Sequence, residues 1–197
     1  RSSAASDVYK RQADTGLGLT VLPVLYERAG LAQAALRPDQ RRFAGTPDFI
    51  ARLQASVQAS GRPLVNAGVA IHSLRAAASP SIDALLAQVG DAAMPIHIHV
   101  AEQMQEVRDC LTHTGQRPMA WLAQRHALDA RWQLVHATHS VPEEIEAVAR
   151  SGAGIVICPS TEGNLGDGFA DLPAWLGAGV PMACLLYTSD AADERSS

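Results

Sequence analysis

The most constraining feature of this chain is an alternation. Short apolar runs rich in β-branched residues recur between stretches with helical periodicity. Residues 19–26, 64–72, 96–101, 133–137 and 154–158 read as strands, the first weakened by Pro23. A helix is expected over Pro47–Ala59, with Thr46 as N-cap, Pro47 at the first helical position and an apolar stripe of Phe49, Leu53 and Val57. A second opens at Ser79-Pro80, aligns Ile82, Leu85, Leu86 and Val89 on one face, and stops at Gly90. Helical stretches follow near residues 103–112 and 118–125. Ser140 and Glu143 fit a capping box for a helix running to Arg150. A glycine-bearing loop then extends to Gly168, ahead of a short helix near residues 172–176. Strand, loop and helix repeated about five times require a parallel sheet with helical crossovers, because parallel neighbours cannot be joined by a hairpin.

Two parallel architectures compete. A dinucleotide-binding open sheet should carry G-x-G-x-x-G after its first strand, and none follows any strand here. Ionisable residues instead sit at the ends of several strands: His72, His99, His136 and the 160–162 loop. Chemistry gathered from many strand ends is the mark of a barrel. The fold class expected is therefore α/β, an incomplete (β/α)8 TIM barrel with about strands 3–7 present.

Charge narrows the function. Sixteen Lys+Arg against 20 Asp+Glu give a net charge of -4, which offers no electrostatic footprint for nucleic acid. No apolar run approaches the roughly 18 residues of a membrane helix, and no signal-peptide pattern opens the chain. Three widely spaced cysteines, an odd number, suit a reducing, cytoplasmic setting. A small-molecule enzyme is expected, with a homodimer as the assembly allowed for.

The ends differ in composition from the middle. Fifteen of the 16 basic residues are arginine, and the one lysine is Lys10. Residues 3–12 (SAASDVYKRQ) back-translate to DNA whose reverse complement, read from its second base, encodes the ten residues 184–193 (CLLYTSDAAD). One oligonucleotide in opposite orientations accounts for both, and it resembles a transposon-end adaptor. Residues 1–12 and 184–197 are accordingly expected to be adaptor-derived tails around a partial barrel domain at residues 13–183.

The stretch His97-Ile98-His99-Val100-Ala101-Glu102 carries the most chemistry. On a strand His97 and His99 share a face, and Glu102 falls just past the strand end. Strand-end imidazoles ligate divalent metals, and a nearby carboxylate moves protons for a hydrolytic water. His136 and His139 repeat the theme on the next strand; a solvated loop residue is the alternative for His139, and a core hydrogen bond for His97. Arg75, past the strand ending at His72, can hold a substrate carboxylate or make a structural ion pair. His113 and His126 read as surface residues, and Cys110 and Cys158 as buried small apolar ones.

The strings HSLR (72–75), HIHVAEQ (97–103), GQRP with WL (115–122), LVHATH (134–139) and CPSTEGNLGDG (158–168) occur in an order that resembles the formimidoylglutamate deiminase family of the metal-dependent amidohydrolase superfamily. The likeness spans residues 14–181. It implies a zinc-containing barrel that hydrolyses N-formimidoyl-L-glutamate to N-formyl-L-glutamate and ammonia, a step of histidine degradation. By the same resemblance His99 matches a zinc ligand, Glu102 the proton-shuttling carboxylate and His136 the histidine beside the hydrolytic water. His72 and Arg75 match the substrate-contacting segment, with Arg75 facing a carboxylate. The family's first-strand His-x-His pair would precede residue 13, and its eighth-strand Asp would follow Pro181; Asp190 is not assigned that role. This chain alone is thus expected to be inactive and to hold no tight zinc. Two alternatives stay open: a superfamily deaminase of a purine, pyrimidine or triazine ring, and a non-catalytic α/β fragment.

Overall fold

The computed structural model describes residues 10–90 and 93–185. Most of both adaptor-like segments, together with Asp190, lies outside the described residues.

The described residues form eight strands. They are β1 (Leu19–Val21), β2 (Val24–Leu25), β3 (Val65–Ala67), β4 (Val69–Ser73), β5 (Ile96–Val100), β6 (Trp132–His136), β7 (Gly154–Ile157) and β8 (Met182–Cys184). Six form one sheet in the order β2-β4-β5-β6-β7-β8, and every pairing is parallel. The helices between them are α1 (Pro47–Ala59), α2 (Ser79–Val89), α3 (Met104–Thr114), α4 (Pro118–Arg125), α5 (Pro142–Ser151), α6 (Pro159–Leu165) and α7 (Leu172–Gly177). This is the expected α/β order, a sequential parallel sheet with crossovers, as in part of a barrel.

Alternation on the strands sorts the two faces. On β5, Ile96, Ile98 and Val100 are buried in the core, whereas His97 and His99 project half-buried from the other face. Leu25, Ile71, Leu134 and Ile155 from the neighbouring strands join the same core, along with Ile82 and Leu85 of α2. Burying so many branched side chains at roughly 1.5–3 kcal/mol each is the main force holding helices to sheet.

Several expectations need correction. The first two strand runs are each split, at Pro23 and at Gly68, and β1 pairs with β3 in a separate two-stranded sheet. Pro23 lacks an N–H for the ladder. At Gly68 an added Cβ would lie 2.2 Å from the Pro95 carbonyl oxygen, so only glycine permits that approach. Helix α1 has the bounds and the Thr46 cap that its sequence signals, but Phe49 is 45% exposed and Leu53 is exposed too; Ile50 is the residue buried. The buried face is rotated because α1 meets the sheet through Ile50. The α5 cap is displaced by one residue: Glu144, not Glu143, accepts the Val141 N–H at 3.2 Å, and Ser140 Oγ donates to the Ala137 carbonyl. The glycine-bearing segment after β7 begins as helix α6, and β8 is a further strand that periodicity did not reveal.

Candidate functional site

The site lies where β4, β5 and β6 end. Register places Ser73 beside His99 and Val100 beside His136, so the carboxyl ends of these strands form one rim. The pairing slips between Ile71 and Ser73, which sets His72 at an irregularity. The chain leaves β5 and β6 through left-handed backbone, with φ of 52° at Ala101, 74° at His136 and 51° at Ala137. Non-glycine residues enter this region at a cost of about 1–3 kcal/mol, and such strain concentrates at functional sites.

Three imidazoles form a row. Ring centroids of His72 and His99 are 5.2 Å apart, and those of His99 and His136 are 5.4 Å apart and stacked. Glu102 closes the row, its Oε1 lying 3.3 Å from His136 Nε2. His72, His99, Glu102, His136, Cys158, Thr161 and Leu185 line a cleft of about 180 Å³. Four of the five residues given site roles by the resemblance (His72, Arg75, His99, Glu102 and His136) therefore meet in one cavity.

Arg75, the fifth, is engaged with protein. Its Nη2 lies 3.0 Å from Glu102 Oε2 and its Nη1 3.4 Å from Gln103 Oε1, while its Nε is buried without a partner among the described residues. The side chain keeps 27% exposure. The structural ion pair weighed against the substrate role is thus formed, and Arg75 holds the carboxylate it was expected to work beside.

The donor chemistry suits a divalent ion at His99. Its Nδ1 is 2.6 Å from the His72 carbonyl oxygen, an acceptor only, so Nδ1 carries the proton and Nε2 keeps its lone pair. Backbone carbonyls orient metal-bound histidines in this manner. Burial pushes the His99 imidazole below its ordinary range, with only partial relief from that hydrogen bond, and pushes His72 down to about 4, helped by the positive charge that His99 can carry. Both rings are therefore neutral, ligand-ready imidazoles at pH 7.

Donor atoms of His136, Cys158 and Glu162 also lie within 4.8 Å of one another. Hydrogen bonds account for that closeness: Glu162 Oε1 accepts the Cys158 N–H at 2.9 Å and faces His136 Nδ1 at 3.2 Å. Burial, with Glu162 beside it, pushes the Cys158 thiol up to about 11, away from the thiolate form.

The remaining histidines divide. His97 shares the His99 face but lies two residues back along β5, and burial lowers its pKa. His139 donates its N–H to the Ala101 carbonyl and accepts from Arg117 through its own carbonyl, a loop-bracing position. His113 is exposed, as expected. His126 is not: it is 6% exposed, stacked on Trp132 with ring centroids 6.0 Å apart, and 3.5 Å from Asp83. Its position at the end of α4, over the aromatic floor, buries a side chain that polar neighbours in sequence marked as external.

Two site residues were missed. Glu106, 1% exposed, accepts the N–H groups of Ala101 at 3.1 Å and Glu102 at 3.2 Å, and so aims Glu102. Glu162 was read only as part of a loop. The pair Pro159 and Gly166, proline opening and glycine closing a segment, was the available signal that its loop is a helix.

The amidohydrolase family model matches residues 5–196. A formimidoylglutamate deiminase of Pseudomonas aeruginosa is 45% identical over 168 residues, which cover 83% of this chain and 36% of that protein. The crystal structure of an amidohydrolase from Brucella melitensis superposes with a TM-score of 0.82 at 40% identity, over 88% of this chain and 39% of that one. An adenosine deaminase from Xanthomonas campestris, crystallised with bound zinc, superposes with a TM-score of 0.72 at 26% identity, over 88% of this chain and 37% of its own. The chain thus covers 36–39% of the length of these three proteins.

Proposed function

The chain belongs to the amidohydrolase family, and from that premise we propose that the protein it represents is a zinc-dependent deiminase, hydrolysing N-formimidoyl-L-glutamate to N-formyl-L-glutamate and ammonia. The observation that carries this reading is the contact of Glu102 with His136 at 3.3 Å, beside a His99 whose Nε2 is left free. The 45% identity to a formimidoylglutamate deiminase supports the choice of substrate.

The reaction needs water added across a C=N bond and ammonia expelled. Zinc, held in part by His99 Nε2, would supply Lewis-acid chemistry that makes a water nucleophilic near neutral pH. Glu102 takes a proton from the attacking water and delivers it to the imino nitrogen, giving a tetrahedral adduct. The adduct's hydroxyl proton then passes through Glu102 to the same nitrogen as the C–N bond breaks, so ammonia leaves and the formyl carbonyl forms. His136 orients the attacking oxygen and stabilises the charge that develops on it. His72 packs edge-on against Tyr26, with centroids 4.7 Å apart, and shapes the substrate side of the cleft. Arg75 neutralises Glu102 through Nη2 and offers the part of its side chain that stays exposed to the glutamyl carboxylate.

A second reading is favoured by one feature. Val24, Tyr26, Phe43 and His72 line an apolar cleft of about 320 Å³ next to the histidine row, dimensions that suit a heterocycle. Adenosine is the corresponding probe. The full-length protein is expected to release ammonia from N-formimidoyl-L-glutamate and not from adenosine; the reverse preference would move the assignment to the ring deaminases.

A further inference from the structure

Three successive strand-to-helix turns at this rim are each tied by a buried glutamate from the helix that follows. Glu106 receives the Ala101 and Glu102 N–H groups after β5. Glu144 receives the Val141 N–H after β6, and Glu162 the Cys158 N–H after β7. The first two also set their charge towards an arginine: Glu106 is 4.0 Å from Arg75, and Glu144 is 3.1 Å from Arg117. Glu162 departs from the pattern. The oxygen that caps Cys158 also faces an imidazole nitrogen, His136 Nδ1, and Glu162 is 2% exposed.

The same Oε1 already accepts the Cys158 N–H, so its bond to the ring is read with Nδ1–H donating. Nε2 of the same ring then points at Glu102 across the cleft. Neither feature is required by the turn itself, which needs one acceptor for one N–H. His136, moreover, sits at φ 74°, where its backbone alone does not favour the observed placement. We propose that Glu162 is a positioning residue: through Nδ1–H···Oε1 it fixes the ring orientation of His136, keeps a proton on Nδ1 and turns Nε2 towards Glu102 and the reacting centre. The consequence for catalysis rests on the deiminase reading above, whereas the Nδ1 proton does not.

The test uses the 197-residue chain with 15N-labelled histidine and long-range 1H–15N correlation, which shows which ring nitrogen of each histidine is protonated. His136→Asn identifies the His136 signals. The expected result is a His136 with Nδ1 protonated, lost or averaged in Glu162→Ala and retained in Glu162→Gln, whose amide oxygen can accept the same bond. In the full-length protein Glu162→Ala is expected to lower kcat about 10–100-fold, with KM changed less than about threefold and with Glu162→Gln recovering most of the loss. A wild-type His136 protonated on Nε2 alone overturns the proposal, as does an unchanged His136 pattern in folded Glu162→Ala. If Glu162→Ala does not fold, the wild-type and Glu162→Gln spectra decide. Absence of ammonia release from the full-length protein contradicts the deiminase reading and leaves the Nδ1 result to stand or fall alone.

Discussion

At the residue scale the chemistry depends on a few side chains whose partners come from other strands. Glu102 is the most exposed to test. Glu102→Gln keeps the shape and the hydrogen-bonding reach to Arg75 but cannot carry a proton, so kcat of the full-length enzyme should fall by about 10²–10⁴-fold. Steady-state ammonia release measures it. A second prediction concerns His126, whose pKa burial lowers below the ordinary 6.5. A histidine with a depressed folded-state pKa binds fewer protons when folded, so its contribution to stability is present above about pH 6.5 and is lost as pH falls below that. His126→Phe, which keeps the ring against Trp121 and Trp132, should flatten the fall of Tm below pH 6.5. His99, Glu102 and His136 were legible in sequence because strand alternation and strand ends are local properties. Pairing of Arg75 with Glu102, burial of His126 and the reach of Glu162 to His136 were not, since each joins residues 26 to 43 positions apart.

At the scale of elements, local signals succeeded where the determinant is itself local. Thr46 and Pro47 set the start of α1 to the residue, because the Thr46 hydroxyl accepts the Phe49 N–H within one turn. Thr46→Ala should therefore destabilise the chain by about 1 kcal/mol in a urea titration. The face that α1 buries was misread, because Phe49, Leu53 and Val57 satisfy helical spacing as well as Ile50 does with its neighbours; only the sheet decides between them. Gly68 makes the same point in reverse. Its neighbours read as one continuous strand, yet the chain changes sheets there, and the requirement for glycine comes from Pro95 on the next crossover. Gly68→Ala should cost about 3 kcal/mol, seen as a lowered urea midpoint, since the obstructing atom is backbone.

At the scale of the molecule, parallel order and rim chemistry belong together. Sequential parallel strands bring every carboxyl end to one side, so residues far apart in sequence converge without any long loop. That convergence carries the central proposal, that His99, Glu102 and His136 form one hydrolytic centre in the whole protein. Ammonia release by the full-length, zinc-loaded protein given N-formimidoyl-L-glutamate tests it most directly, with Glu102→Gln measured alongside. The account predicts turnover by the wild type and its near-abolition in Glu102→Gln. No ammonia from the wild type, or an equal rate from both, would contradict it.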